Sequence, residues 1–306
     1  MSLRVTFLGT SGAIPTLKRS LASLVIQCGN ELLMLDCGEG VQRQMIHAKV
    51  GFHKKMKIFL SHLHGDHVLG LPGLLQTMAL LDRKKSLDIY GPEGTTTFLT
   101  CVQESLKFML TFDVNVHEIH EEGVVCDEPD YIMESIWANH VTPTFSYSFL
   151  EKPRPGKFFP EKATKLNIPK GILWSKLQHG ESITLSDGRI VNPSEVSGPS
   201  RHGRKIVYSG DTKPFKEFVK FAANADLIIH EATFDDTLMD KAEVDGHSTP
   251  EQAALQAKHA KAKMLLLTHI SARYANSSIL LEQAKKVFEN VSVAEDFLVL
   301  ELPLTE

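Results

Sequence analysis

Three apolar runs in this chain each deliver a potential metal ligand at their C-terminal ends: KIFL leads to Ser61-His62, KIVYSG to Asp211, and KMLLLT to His269. Ligands gathered on one rim in this way call for an α/β sheet, because the loops beyond the carboxyl ends of its strands converge on a single crevice. The rest of the chain agrees. Further β-rich runs recur as RVTFLGT, SLVIQC, ELLMLDCG, SLDIYG, DLIIHEA and FLVLELP, with helical patterns after His67 and from Thr249 to about Ala260. The second helix has a defined start: Thr249 as N-cap, Pro250 at the first helical position and Gln252 completing a capping box. Strands alternating with helices predict a layered α/β fold.

At 306 residues, 42% of them hydrophobic, the chain can bury one large core or two modest ones. Cys28, Cys37, Cys101 and Cys126 are scattered without CxxC spacing, so neither a disulfide framework nor a zinc finger is expected, and free thiols suit the cytoplasm. The first residues run straight into a strand-like VTFLGT, and no apolar run approaches membrane-spanning length, so neither secretion nor membrane insertion is expected. The formal charge of −4 conceals an asymmetry. Between Leu150 and Lys205 there are eleven Lys or Arg against five acids, a net +6 on an otherwise acidic chain. Such a segment suits a polyanion, although a solvated loop with chance lysines would read the same.

The stretch FLSHLHGDHVLGLPGLL concentrates the chemistry. His62 and His64, two apart on a turn leaving a strand, can be aimed at one ion, while Asp66 and His67 reach a second. Imidazole with carboxylate suits Zn²⁺, and also Mn²⁺ or Fe²⁺, since no thiolate softens the site. An aspartate such as Asp211 can bridge two ions, and paired ions about 3.5–4 Å apart serve hydrolysis at phosphorus. A lone histidine is usually a surface or core residue; four metal-binding side chains within six positions are a site.

With FLGTSGAIPT, LLMLDCGEG, SHLHGDH, His140 in ANHVTPTFSYSF, YSGDT, HEATF, GHSTPEQA and LLLTHISARY in order, essentially the whole chain resembles the metallo-β-lactamase superfamily. HEATF and HST point within it to the tRNase Z branch, which removes 3′ trailers from precursor tRNA. The resemblance implies an αββα sandwich over residues 1–306, with a protruding, flexible basic arm at 151–203 that grips tRNA through residues such as Lys152, Arg154 and Lys157. It implies two Zn²⁺ per subunit: His62, His64 and His140 on one, Asp66, His67 and His269 on the other, Asp211 between them, and Asp36 in support. Asp66 would accept a proton from the nucleophile, and His247, paired with Glu231, would protonate the leaving 3′-oxygen; His247 as a metal neighbour or structural cap is the competing reading. A homodimer follows by resemblance only, and neither membrane nor DNA is expected as a partner.

One motif departs from the family. Where many members carry Pro-x-Lys-x-Arg-Asn, this chain reads Pro15-Thr16-Leu17-Lys18-Arg19-Ser20, leaving Arg19, together with Arg273, as phosphate contacts. The alternative is a phosphodiesterase or arylsulfatase-like hydrolase of the same fold acting on a small substrate, for which a remote basic arm has no use. Nucleases with an additional large domain exceed the length available. A non-catalytic RNA-binding module would be expected to have lost ligands that are all in place here.

Overall fold

The computed structural model describes residues 2–304. They divide into two compact units, one built from residues up to 128 with 132–149 and 205–303, the other from 129–131 and 150–204.

Two seven-stranded sheets organise the chain. The first runs in the order Val299–Leu302, Leu3–Gly9, Ser23–Cys28, Glu31–Leu35, Lys55–Phe59, Leu87–Pro92, Val114–Ile119. The second runs Val291–Val293, Leu265–Thr268, Leu227–Glu231, Lys205–Tyr208, Phe145–Glu151, Tyr131–Trp137, Gly123–Asp127. Central strands such as ELLML, LIIHE and LLLT are buried along nearly their whole length, which is why they read as unbroken apolar runs.

Alternation of side chains across each sheet assigns its faces. Met56 and Ile58 meet a helical layer in which Leu71, Leu74, Leu75 and Met78 of Gly70–Leu80 form one apolar stripe at helical spacing. On the second sheet, Val207, Ile228, Leu265 and Leu267 meet Phe218, Ala253, Ala254, Ala257 and Ala284 from three helices. Phe59 and Tyr147 meet between the sheets, with ring centroids 5.7 Å apart, and the Tyr147 hydroxyl donates to the Leu60 carbonyl at 2.7 Å. The layering is therefore αββα, the arrangement expected from sequence.

Register brings the functional ends together. Leu35 is paired with Phe59, Tyr208 with Ile229 and Glu231 with Thr268, all in parallel, so the residues that follow emerge side by side. The helix Pro250–His259 begins on the expected capping box: Thr249 accepts from the Gln252 backbone, while the Gln252 side chain accepts from Thr249 N–H.

Within the second unit, residues 151–158 run alongside 197–204. Arg154 and Arg201 exchange backbone hydrogen bonds at 2.9 Å, and Gly198 N–H donates to the Lys157 carbonyl at 2.8 Å. Beyond this ribbon, Ala163, Ile168, Leu177, Ile183, Leu185, Val191 and Val196 form a small buried cluster. Pro, Gly and Lys content pointed to an exposed extension rather than a packed core. The core escapes sequence reading because Pro160–Lys165, Ile172–Gln178 and the short pair Ile183–Thr184 and Ile190–Val191 each supply only one or two apolar residues to it.

No helix among the described residues is long and apolar enough to cross a membrane, and the four cysteines form no disulfide. The alanine face of Pro250–His259 leaves no room for a longer side chain. Ala257→Leu is expected to destabilise the fold by about 1–3 kcal/mol through overpacking, seen as a lower urea midpoint with unchanged slope.

Candidate metal centre

The turn after Lys55–Phe59 places His62 and His64, the short helix Gly65–Val68 adds Asp66 and His67, and the ends of three second-sheet strands add His140, Asp211 and His269. His62 Nε2 lies 2.9 Å from His64 Nδ1, which in turn lies 3.4 Å from His140 Nε2. Opposite them, His269 Nε2 lies 3.3 Å from both Asp66 Oδ2 and His67 Nε2. Asp211 Oδ2 faces both sets, 3.7 Å from His62 Nε2 and 3.4 Å from the Nε2 atoms of His67 and His269. His62, His64, His140 and Asp211 thus form one group whose ligand atoms all lie within 4.8 Å of one another, and Asp66, His67 and His269 form another.

The donors fit a divalent cation in type and protonation. Burial and neighbouring histidines hold His62, His64 and His140 below the ordinary imidazole range, which keeps them neutral. Burial opposes charge on Asp211 and Asp66, but the facing histidines outweigh it and hold both carboxyls below their usual range. Neutral imidazole and ionised carboxylate are the metal-binding forms. His67 differs: burial disfavours its charge, yet Asp211 and Asp36 on either side raise it, so a proton competes with a cation for its Nε2.

Each ring is aimed by its other nitrogen. Nδ1 of His67 meets Asp36 Oδ2 at 2.7 Å, that of His269 meets Thr233 Oγ1 at 2.8 Å, that of His140 meets the Gly246 carbonyl at 2.7 Å, and that of His62 meets Ser61 Oγ at 2.9 Å. Nε2 is left pointing inward in all four. Asp36 and His269 both occupy left-handed backbone, at φ 57° and 56°, an uncommon conformation for residues with a side chain that persists where surrounding bonds enforce it. Asp36 accepts from Ser61 N–H at 2.7 Å, Ser61 Oγ at 2.8 Å and Tyr208 OH at 2.7 Å. Behind His269, a Cβ on Gly12 would fall 2.6 Å from the imidazole, so glycine alone fits there.

Beside the cluster, buried Glu231 accepts from Thr212 N–H at 2.9 Å, Thr233 Oγ1 at 2.7 Å and His247 Nδ1 at 2.8 Å. Burial would lower His247, but the Glu231 carboxylate raises it to about 9, so the ring is an imidazolium at neutral pH. Asp211, His247 and His269 also have ligand atoms within 4.8 Å, so proximity alone would admit His247 as a ligand; the proton that Glu231 holds on its ring opposes ligation.

A cleft of about 500 Å³ lined by Gly12, Thr233, Lys241, His247, His269 and Arg273 opens onto these groups. A larger cavity, about 770 Å³, lies between residues 16–19 and 274–277 and holds none of the converging ligands. Arg273 is exposed at the first cleft, its guanidinium 5.4 Å from the Phe234 ring. Arg19 turns inward instead, donating through Nη1 to Thr10 Oγ1 at 2.7 Å and the Ala294 carbonyl at 2.5 Å. Lys152, Arg154 and Lys157 lie in the second unit, with Lys157 exposed and the other two half-buried. Sequence reading missed Ser61, Tyr208 and Thr233; their place at strand ends and within HEATF is the only signal they carry.

A family model described as a beta-lactamase superfamily domain matches residues 161–270, and one described as Anti-Pycsar protein Apyc1 matches residues 3–159. A protein of Methanosarcina acetivorans named Ribonuclease Z is 44% identical over 302 residues, 98% of both chains. Its namesake from Archaeoglobus fulgidus is 44% identical over 309 residues, covering all of both. The crystal structure of human tRNase Z, short form, superposes with a TM-score of 0.74 at 32% identity, over 98% of this chain and 100% of that one.

Asp36 fixes the orientation of His67 without itself facing the cleft. Asp36→Asn is expected to weaken metal binding by about 10–100-fold while leaving a folded protein, measured by competition with a chromogenic chelator.

Proposed function

The chain belongs to the ribonuclease Z family of the metallo-β-lactamase superfamily, and from that premise we propose how its rim carries out tRNA 3′-end cleavage. The protein is a hydrolase, a tRNA 3′-processing endoribonuclease with a divalent-metal site. The observation that carries the proposed mechanism is Asp211 Oδ2 standing between two imidazole sets, with an ion-paired imidazolium alongside.

His62, His64 and His140 would hold one Zn²⁺ and Asp66, His67 and His269 a second, with Asp211 shared; Mn²⁺ or Fe²⁺ suit the same donors. Bound there, the ions supply Lewis acidity at phosphorus and an attacking water acidified towards neutrality. The protein's own groups manage the protons. Asp66, ionised and held by Ala13 N–H at 2.7 Å, accepts a proton from the nucleophile. His247 delivers a proton to the departing 3′-oxygen, and Glu231 keeps it charged and oriented until then. Trailer removal in this way leaves a tRNA 3′-hydroxyl.

Arg273 at the cleft is the phosphate contact best supported by its exposure, and the inward Arg19 bonds fit it to shaping its loop. The basic segment 151–203, with Lys152, Arg154 and Lys157, is the proposed tRNA grip, acting through charge and shape rather than base reading. Four cysteines that form no disulfide suit work in the cytoplasm. A homodimer completes the proposal.

Two experiments test it. The metal-loaded protein is expected to cut a trailer-bearing precursor tRNA once near the discriminator base, and a variant lacking Lys152 to His202 should lose that cleavage yet still hydrolyse a small phosphodiester. An intact protein that ignores precursor tRNA but hydrolyses the ester would move the assignment to a small substrate. His247→Ala should lower turnover by about 10²–10⁴-fold with metal content intact; loss of zinc from that variant would make His247 a ligand instead of the acid.

A further inference from the structure

Glu151 and Arg204 stand where the chain enters and leaves the insertion, and both side chains are buried, 3% and 2% exposed. Arg204 grips the carboxylate with a fork, Nε to Oε2 at 2.8 Å and Nη2 to Oε1 at 2.6 Å, and its backbone N–H adds a contact at 3.1 Å. In return, Glu151 N–H donates to the Arg204 carbonyl at 2.9 Å. Arg154 Nε lies 3.9 Å from the same carboxylate, and its Nε and Nη2 have no hydrogen-bond partner among the described residues. The Glu151 carboxylate therefore faces two guanidinium groups. Burial disfavours the carboxylate, but the Arg204 bonds overcome this and keep it ionised.

The two segments approach closely enough to exclude side chains between them. A Cβ on Gly203 would fall 1.6 Å from the Glu151 carbonyl oxygen, and one on Gly156 would fall 1.9 Å from that of Gly198. Glycine permits the contact; the ion pair supplies a reason for the ends to stay there. Closing a loop of about fifty residues costs chain entropy that the backbone hydrogen bonds of a short ribbon only partly offset.

We propose that Glu151 is a positioning residue that latches the ends of the 152–203 insertion, so that Arg154, Lys157 and Arg201 are carried on one closed ribbon ready for a phosphate backbone. The inference rests on the reading of this segment as the tRNA grip. Removing the charge alone would put a neutral amide where the Arg204 fork meets a carboxylate, and breaking one side of a buried pair costs far more than the pair contributes. None of the residues of the metal centre takes part.

The test uses the full-length, metal-loaded Glu151→Gln protein. KM for precursor tRNA should rise about tenfold or more as the latch opens, while kcat on that RNA and hydrolysis of bis(4-nitrophenyl) phosphate stay within about twofold. Trypsin should cut the insertion faster, and Glu151→Asp should recover most of both effects. If Glu151→Gln fails to fold, Arg204→Lys, which keeps the charge but loses the fork, should show the same KM shift and digestion in weaker form. Unchanged KM and unchanged digestion would overturn the latch, as would a parallel fall in small-ester hydrolysis. Should the parent protein not cleave precursor tRNA at all, the functional reading falls by itself and the digestion pattern alone decides the latch.

Discussion

The buried carboxylate of Asp36 ties the two sheets together at the place where the site is built. It leaves the first sheet after Leu35, takes hydrogen bonds from Ser61 just beyond the neighbouring strand and from Tyr208 on the second sheet, and faces Nδ1 of His67. A carboxylate with no exposure is tolerable only with such a complement, because an uncompensated buried charge is strongly disfavoured. The same bonds enforce its left-handed backbone. One side chain thereby joins the two sheets at the rim and aims the ring of His67.

From that anchor, the electrostatics of the rim follow. Asp211 and Glu231 end adjacent strands and are both buried and ionised, yet they serve different purposes because their partners differ. Asp211 faces the inward nitrogens of three histidines. Glu231 is surrounded by Thr212, Thr233 and His247, which turns its charge into an imidazolium beside the cleft. Thr233 links the two systems, since its hydroxyl contacts both Glu231 and His269. The histidine cluster and the Glu231–His247 pair are therefore parts of one hydrogen-bonded framework.

The insertion solves a different problem with the same materials. Its surface carries an excess of Lys and Arg, so mutual repulsion works against order, and its apolar cluster is small. The Glu151–Arg204 pair and the paired backbones of 151–158 and 197–204 hold the ends where the core alone is thin. Binding RNA by charge and shape is compatible with such a unit, because phosphate contacts require a basic surface more than a rigid pocket.

Much of this was legible in the sequence. HxHxDH stood out because its candidate ligands are contiguous, and Asp211 and His269 because each follows an apolar strand, and the structure brings all of them together; unbroken strands and a capping box likewise announced the layered α/β fold. His140 entered only by family resemblance, since nothing in its local sequence marks a ligand. Tertiary structure alone decided the rest. Tyr208 and Thr233 are ordinary hydroxyls until strand pairing sets them against Asp36 and His269, the bonds of the Arg19 guanidinium to Thr10 and Ala294 have no sign in its local sequence, and the insertion's core emerges only when scattered apolar residues meet. Ligand identity is a property of residue type and spacing, whereas orientation, protonation and pairing depend on neighbours distant in the chain.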